Sequence, residues 1–259
     1  MSATLVHPAA FLDERAQLGT GVTIGPGAVI GPDVRVGDGT EVGSHVLLAG
    51  HLTIGRGCRI HHGAVLGSPP QDLKFRGERS FLEIGDHTEV REYVTANVAT
   101  DEGATTRIGS HCLLMAYAHV AHNCEIGDRV IVANVVQFAG YVTVDDWAIV
   151  GGATLVHQFV RIGRHCMVGG GSRISQDVAP FVKVAGSPPR LAGLNRIGLE
   201  RRRFANETID ALDRAYRIVF REGLTVAQAT ARLREAFPGI AEIEHLARFA
   251  ETSVRGLTR

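Results

Sequence analysis

The 259-residue chain has no net charge, no long apolar run and no leader-like start, and each absence removes a class of function. Its 27 Lys and Arg balance 27 Asp and Glu, so no strong field recommends nucleic acid or an anionic membrane as a partner. No stretch approaches the roughly 20 apolar residues of a membrane-spanning helix, so no membrane insertion is expected. The segment Met1 to Pro8 lacks a basic stretch followed by an apolar core and does not read as a secretory signal. A soluble cytoplasmic protein is the expectation. Cysteine is scarce as well, and the four present are spaced too regularly for a disulfide or metal set. Cys58, Cys112, Cys124 and Cys166 each stand four residues after Ile54, Ile108, Val120 and Ile162. Other copies of that position hold Ala, Val or Thr, so free thiols packing as small hydrophobes are expected, and no metal.

What the chain does have is a period. From Leu18 to Ile174 an aliphatic residue returns every six positions, through Ile24, Ile30, Val36, Val42, Leu48 and onward, with Phe138 the one aromatic. Gly very often follows it, as at Gly19, Gly25, Gly37 and Gly55, and a small or β-branched residue stands four positions on. Six matches neither the helical period near 3.6 nor the strand period of 2. It fits a solenoid in which each hexad supplies a short strand and a corner, and three hexads close a triangular coil. The large and small residues then point inward, Gly serves the turn, and residues 18 apart become vertical neighbours. Periodicity leaves the hand of the coil open.

The phase fails at residues 68–82 and 96–107, which read as loops extruded from the coil. After Ala185 it stops, and Gly186-Ser187-Pro188-Pro189 marks a boundary. The expected division is 1–190 for the solenoid and 191–259 for a helical domain. Within the latter, a short basic helix runs from Leu194 to Arg203. A second is capped by Asn206 and carries Ile209, Leu212, Ala215, Tyr216 and Val219 on one face. A third opens on the capping box Thr225-Val226-Ala227-Gln228, and a last covers about 240–253.

Outward positions between 114 and 143 include Met115, Tyr117, Ile131, Val135 and Tyr141, an apolar face that wants a partner. A cyclic homotrimer with sites in its clefts is the expectation. His119, His122 and His157-Gln158 are outward there, and Gly140, 18 residues beyond His122, should lie directly above it. A base beside an approachable backbone N–H suits acyl transfer: the imidazole takes a hydroxyl proton and the N–H stabilises the oxyanion.

Gln71-Asp72-Leu73-Lys74, His119-Val120-Ala121-His122, Val156-His157-Gln158-Phe159, Gln176-Asp177-Val178, Gly193-Leu194-Asn195 with Arg201-Arg202, and the Arg-Gly-Leu-x-Arg end together carry a resemblance. The whole chain resembles the UDP-N-acetylglucosamine O-acyltransferase family that opens lipid A biosynthesis. The resemblance implies an all-β solenoid plus α, a left-handed parallel β-helix with a C-terminal helical domain. It also implies transfer of a 3-hydroxyacyl chain from acyl carrier protein to the sugar 3-hydroxyl of UDP-N-acetylglucosamine. His122 would be the general base and Gly140 the oxyanion donor. Asp72 would hold the acyl 3-hydroxyl, with Lys74 contacting substrate across the subunit cleft. His119, His157 and Gln158 would surround sugar and phosphates, and Asn195, Arg201 and Arg202 the nucleotide, for which guanidinium is suited. Gly170 and Pro188 fall at the acyl-chain ruler, and no cofactor is implied. The chain departs from the family pattern at Asn123, where Asp commonly follows the base, and at Tyr141 and Asn97, where His is common. Ile197 replaces an acidic residue near the nucleotide.

Alternatives stay open on residues alone. A related N-acyltransferase usually adds an N-terminal domain, and only 17 residues precede Leu18. A 3-amino sugar acceptor is compatible with every motif. A trimeric β-helix zinc lyase of carbonic-anhydrase type would use His119 and His122 as ligands, but leaves the helical tail unexplained.

Overall fold

The computed structural model describes residues 3–259. Strands of two to six residues, parallel except for the last, form a left-handed parallel β-helix whose described residues make three faces of eleven, nine and eight strands. Leu5 pairs with Thr23, Val29 with Leu47 and Gln17 with Arg35, so one coil takes 18 residues. Val65 pairs with Thr95 and Thr95 with His119. These longer steps absorb the segments between Ser68 and Phe81 and between Asn97 and Thr105, which loop out between strands. The first coil lies earlier than Leu18, with strands Leu5–Val6 and Phe11–Leu12. Val6 and Leu12 already sit on the six-residue phase, and Val6, in the first coil of the described residues, is 39% exposed.

Inside the prism, Ile30, Leu48, Leu66, Val120 and Phe138 are fully buried, as are the small partners Val22, Ala28 and Ala118. Where the small position is Thr, its hydroxyl donates to a carbonyl of the next coil: Thr40 to Gly55 at 2.8 Å and Thr88 to Gly109 at 2.7 Å. The thiols repeat this contact, Cys58 to Gly85 and Cys112 to Gly127 at 3.1 Å, and Cys124 to Ala139 at 3.2 Å. Burial pushes the Cys112 thiol up to about 11 and Cys124 up to about 12, so neither is a ready nucleophile.

Where glycine follows the aliphatic residue it mostly serves a different purpose from the turn geometry expected of it, Gly67 with its φ of 84° being an exception. A Cβ at Gly37 would stand 2.6 Å from the backbone carbon of Gly55 in the next coil, with no left-handed φ involved. That glycine permits the close stacking of coils. The left-handed residue lies two places later. Early coils place Gly39 and Gly57 there, while later coils hold Asn123 (φ 58°), Tyr141 (φ 62°), Trp147 (φ 63°) and His165 (φ 55°). Tertiary packing over-determines these conformations. On one corner the side chains form a ladder, with His87 on His111 at 5.2 Å, Trp147 on His165 at 6.0 Å and His165 on Phe181 at 5.8 Å.

Gly186 to Pro189 is the turn of an antiparallel hairpin that extends the first face with strands Val182–Gly186 and Pro189–Leu194. Four helices follow: α1 (Arg196–Arg201), α2 (Asn206–Phe220), α3 (Val226–Ala236) and α4 (Ala241–Glu251). Asn206 is the first residue of α2 rather than its cap, which is Ala205 without a side-chain bond. Ile209, Leu212, Ala215, Tyr216 and Val219 are buried along α2, and Thr225 and Gln228 close the capping box of α3. Phe204 sets its ring edge-on to His165 at 5.0 Å, which ties the helices to the ladder. The chain end returns to the coil. Asp177 pairs with Leu257, and its buried carboxylate accepts from Arg161 N–H at 2.8 Å and Ser253 Oγ at 2.7 Å. The Gln176-Asp177-Val178 motif and the Arg-Gly-Leu end therefore meet each other. Among the described residues no helix is long and apolar enough to cross a membrane.

Candidate active site

His122 stands at the corner between the second and third faces, just after the strand His119–Val120. Its ring lies flat against Gly140 one coil above. A Cβ on Gly140 would fall 2.4 Å from the His122 Cε1 and 2.6 Å from its Nε2. Only glycine leaves the imidazole that place. Tyr141 N–H donates to the His122 carbonyl at 3.1 Å, fixing the stacking of the two corners. Gly140 is itself buried, and among the described residues its N–H has no acceptor. The Nδ1 of His122 is 3.0 Å from Asn123 Oδ1, whereas its Nε2 has no partner among the described residues. The ring also meets Tyr141 edge-on at 5.4 Å, and Tyr141 stacks on Phe159 at 4.9 Å.

A cavity of about 560 Å³ opens at this corner, lined by Asp72, Lys74, Phe75, Glu78, Thr100, Asp101, His122, Tyr141, Gln158 and Phe159. The loop 69–80 thus brings Asp72 and Lys74 to the cavity that His122 lines. Asp72 Oδ1 accepts the Lys74 backbone N–H at 2.8 Å in a local turn, and Lys74 is exposed. Thr100, Asp101, Phe75 and Glu78 receive no role from the sequence, and Phe159 enters there only as the end of a motif. The first two lie in the extruded second loop, whose break in phase was the one available signal.

Other expected residues lie elsewhere. His119 is on the neighbouring face, half-buried, with Nδ1 2.7 Å from Thr95 Oγ1. Burial, followed by the nearby His122, lowers its pKa, which favours a neutral donor or acceptor over a cation. Asn97 is 4% exposed and clamps the root of the first loop through Ser68 O at 3.3 Å and Pro69 O at 3.0 Å. It supports the loop rather than touching the base. His157 and Pro188 line a separate cavity of about 510 Å³ with Leu155, Arg173 and Ser187, and Gly170 is exposed at another corner. Asn195 and Arg202 belong to the corner of the aromatic ladder. Asn195 is 4% exposed and donates to the His165 carbonyl at 2.9 Å, so within the chain it acts as a buried brace beneath α1. Half-buried Arg202 donates to Trp147 O at 2.7 Å and lies over that indole at 5.3 Å. Its Nη1 is buried without a partner among the described residues, while Arg201 is exposed. In one chain the base and the expected nucleotide-binding residues therefore occupy different corners of the prism.

Comparison with known proteins gives one consistent answer. Residues 177–258 match the family described as UDP N-acetylglucosamine O-acyltransferase, domain 2. Residues 15–50 and 105–136 match the bacterial transferase hexapeptide (six repeats) family. The acyl-[acyl-carrier-protein]–UDP-N-acetylglucosamine O-acyltransferase of Burkholderia lata is 47% identical over 99% of this chain and 100% of its own. That of Herminiimonas arsenicoxydans is 44% identical, again over 99% and 100%. The solved structure of LpxA from Acinetobacter baumannii superposes with a TM-score of 0.96 at 40% identity, over 98% of this chain and 100% of that one.

Proposed function

The chain belongs to the acyl-[acyl-carrier-protein]–UDP-N-acetylglucosamine O-acyltransferase family, and on that premise we propose how its residues divide the work. It is an acyltransferase of lipid A biosynthesis that moves an acyl group from acyl carrier protein to UDP-N-acetylglucosamine. His122 takes the proton of the sugar 3-hydroxyl on Nε2 as that oxygen attacks the thioester carbonyl. The Gly140 N–H receives the oxyanion. As the tetrahedral intermediate collapses, the carbon–sulfur bond breaks and His122 returns the proton to the leaving thiolate of the carrier. Asp72 accepts the hydroxyl of a 3-hydroxyacyl chain, and Lys74, opposite it, contacts the substrate at the cavity mouth. His119 and Gln158 flank the sugar.

One observation carries this reading: the imidazole of His122, which lines the cavity, is packed on a buried glycine whose N–H has no acceptor among the described residues, with Nδ1 occupied and Nε2 without a partner among them. His157, Arg201, Arg202 and Asn195 contribute to the nucleotide side, and Gly170 and Pro188 to the acyl side. Because those groups lie on other corners, a complete site draws on more than one copy of the chain, and we place it in a homotrimer working in the cytoplasm. Exposed Tyr93, Tyr117, Val135 and Leu155, each at least 44% accessible, support burial of a prism face by a second copy.

The decisive experiment is His122→Ala, assayed with a 3-hydroxyacyl carrier protein and UDP-N-acetylglucosamine. A general base contributes about 10² to 10⁴ in rate, and loss of a half-buried corner residue leaves the core untouched. Activity above half of wild type would reject the assignment. Sedimentation equilibrium should give a trimer, and a monomer at micromolar concentration would reject the shared site.

A further inference from the structure

An imidazole base is usually assisted by a carboxylate, because positive charge forms on the ring as it takes the proton. Here the neighbour of His122 is the neutral Asn123, and the charge lies one link further out. Asn123 Oδ1 is 3.0 Å from the Thr100 backbone N–H. That group can only donate, so the atom facing it is the amide oxygen and the amide orientation is fixed. His122 Nδ1, 3.0 Å from the same oxygen, must then carry its proton, which leaves Nε2 with the lone pair a base requires. The other end of the amide, Nδ2, donates to Asp101 Oδ2 at 3.2 Å. Tyr141 donates its hydroxyl to that carboxylate oxygen at 3.0 Å and is 3.1 Å from Thr100 Oγ1.

We propose that Asp101 is a positioning residue for acyl transfer, its carboxylate reaching His122 through the Asn123 amide to hold the reactive tautomer and to stabilise the imidazolium. The proposal rests on the reading of His122 as the base. The two hydrogen bonds run in sequence, Nδ1–H to Oδ1 and Nδ2–H to Oδ2, so the carboxylate polarises the amide oxygen toward the ring. The hydroxyl proton goes to Nε2, and none is transferred to Asp101. Asp101 is exposed and its long-range field is screened, so the amide contact, rather than distance-independent charge, carries the effect. Asp72, Glu78 and Lys74 also line the cavity, and Glu102, next to Asp101 in the chain, accepts the Arg79 N–H at 2.8 Å. Among the described residues none of these four is hydrogen-bonded to Asn123. The extruded second loop thereby acquires a purpose, since it delivers Thr100 and Asp101 to the corner where Asn123 and Tyr141 stack.

The test uses the full chain and four variants: His122→Ala, Asp101→Asn, Asn123→Asp and the double variant Asp101→Asn with Asn123→Asp. Asp101→Asn should lower kcat about tenfold or more, a fraction of what a general base supplies, with KM and melting temperature nearly unchanged. Asn123→Asp alone should also be impaired, because it sets two carboxylates against each other across a 3.2 Å contact. The double variant exchanges the two groups and restores one carboxylate beside one amide, so its kcat should recover well above either single variant. Wild-type kcat in Asp101→Asn, with His122→Ala inactive, would overturn the proposal and spare the base. Losses that simply multiply in the double variant would reduce Asp101 to loop packing and overturn it as well. An active His122→Ala would remove the base and the proposal together.

Discussion

Gly140→Ala separates the placement of the imidazole from everything else at this corner. The backbone of Gly140 is outside the left-handed region, so alanine fits it without conformational strain, and the N–H remains. What changes is one methyl group. Its Cβ would stand 2.4 Å from the His122 Cε1 and 2.6 Å from Nε2, where ordinary contact begins at 3.4 Å. The ring must therefore retreat by about 1 Å. Its Nδ1 is held by Asn123, so it cannot retreat without stretching that 3.0 Å hydrogen bond or rotating Nε2 off line. A displacement of about 1 Å at a reacting group costs about a hundredfold in rate. The expected result is kcat down by about two orders of magnitude, with KM for UDP-N-acetylglucosamine little changed. Thermal unfolding should move by only a few degrees, because the methyl meets a half-buried side chain rather than core. Gly152→Ala is the control: its Cβ would meet Asn134 O at 3.1 Å, a milder approach remote from the base. If Gly140→Ala keeps kcat within about threefold of wild type, the imidazole does not work where the structure holds it.

Three further outcomes are expected. The four thiols should resist alkylation at neutral pH in the folded chain and react only on unfolding, since all are buried and burial raises the pKa of each; rapid labelling of native protein would contradict their place in the core. Val120→Ala should lower stability by roughly 1–3 kcal/mol while leaving the His122 corner active, which chemical denaturation and a rate assay together would check. Burial, then the charges of Arg202 and Arg164, hold the His165 imidazole down to about 4, so the unfolded chain takes up that proton first. Stability should consequently fall as pH drops from about 6.5 to about 4, and His165→Phe should flatten that part of the melting-temperature profile.

The fold was legible because the interior of a solenoid repeats in sequence as it repeats in space. Ile30, Leu48 and Leu66 are vertical neighbours and reappear at constant spacing, so the period of six and the step of 18 followed from counting alone. The same counting places Gly140 over His122, where the ring packs on it. It misread the glycine at the next position, because close approach between coils and left-handed backbone both favour glycine, and sequence alone does not separate them. The discriminating sign is that Tyr, Trp and Asn, with His, replace glycine at the left-handed corner, whereas of these four only His, at His61 and His157, stands beside the aliphatic residue. The hand of the coil came from resemblance, as did the nucleotide residues. Burial of Asn195 under α1 and the hold of Arg202 on Trp147 depend on how helices dock on a corner ladder, which no period encodes.

The residues that sequence missed share a physical cause. A period gives each residue a coordinate along the coil only while the phase is unbroken. Asp72 and Lys74 lie in the first interruption and had no coordinate, so only a motif placed them. Thr100 and Asp101 lie in the second, where no motif was recognised, and they stayed invisible although they touch Asn123 directly. Tyr141 shows the boundary well. Its position above Asn123 follows from the step of 18, but that its hydroxyl donates to Asp101 does not. The solenoid fixes where a corner side chain starts, and the extruded loops decide what it meets. Variation that tunes this site without disturbing the fold is therefore expected in the two interruptions, where a residue can change its chemistry at no cost to the stacking of the coils.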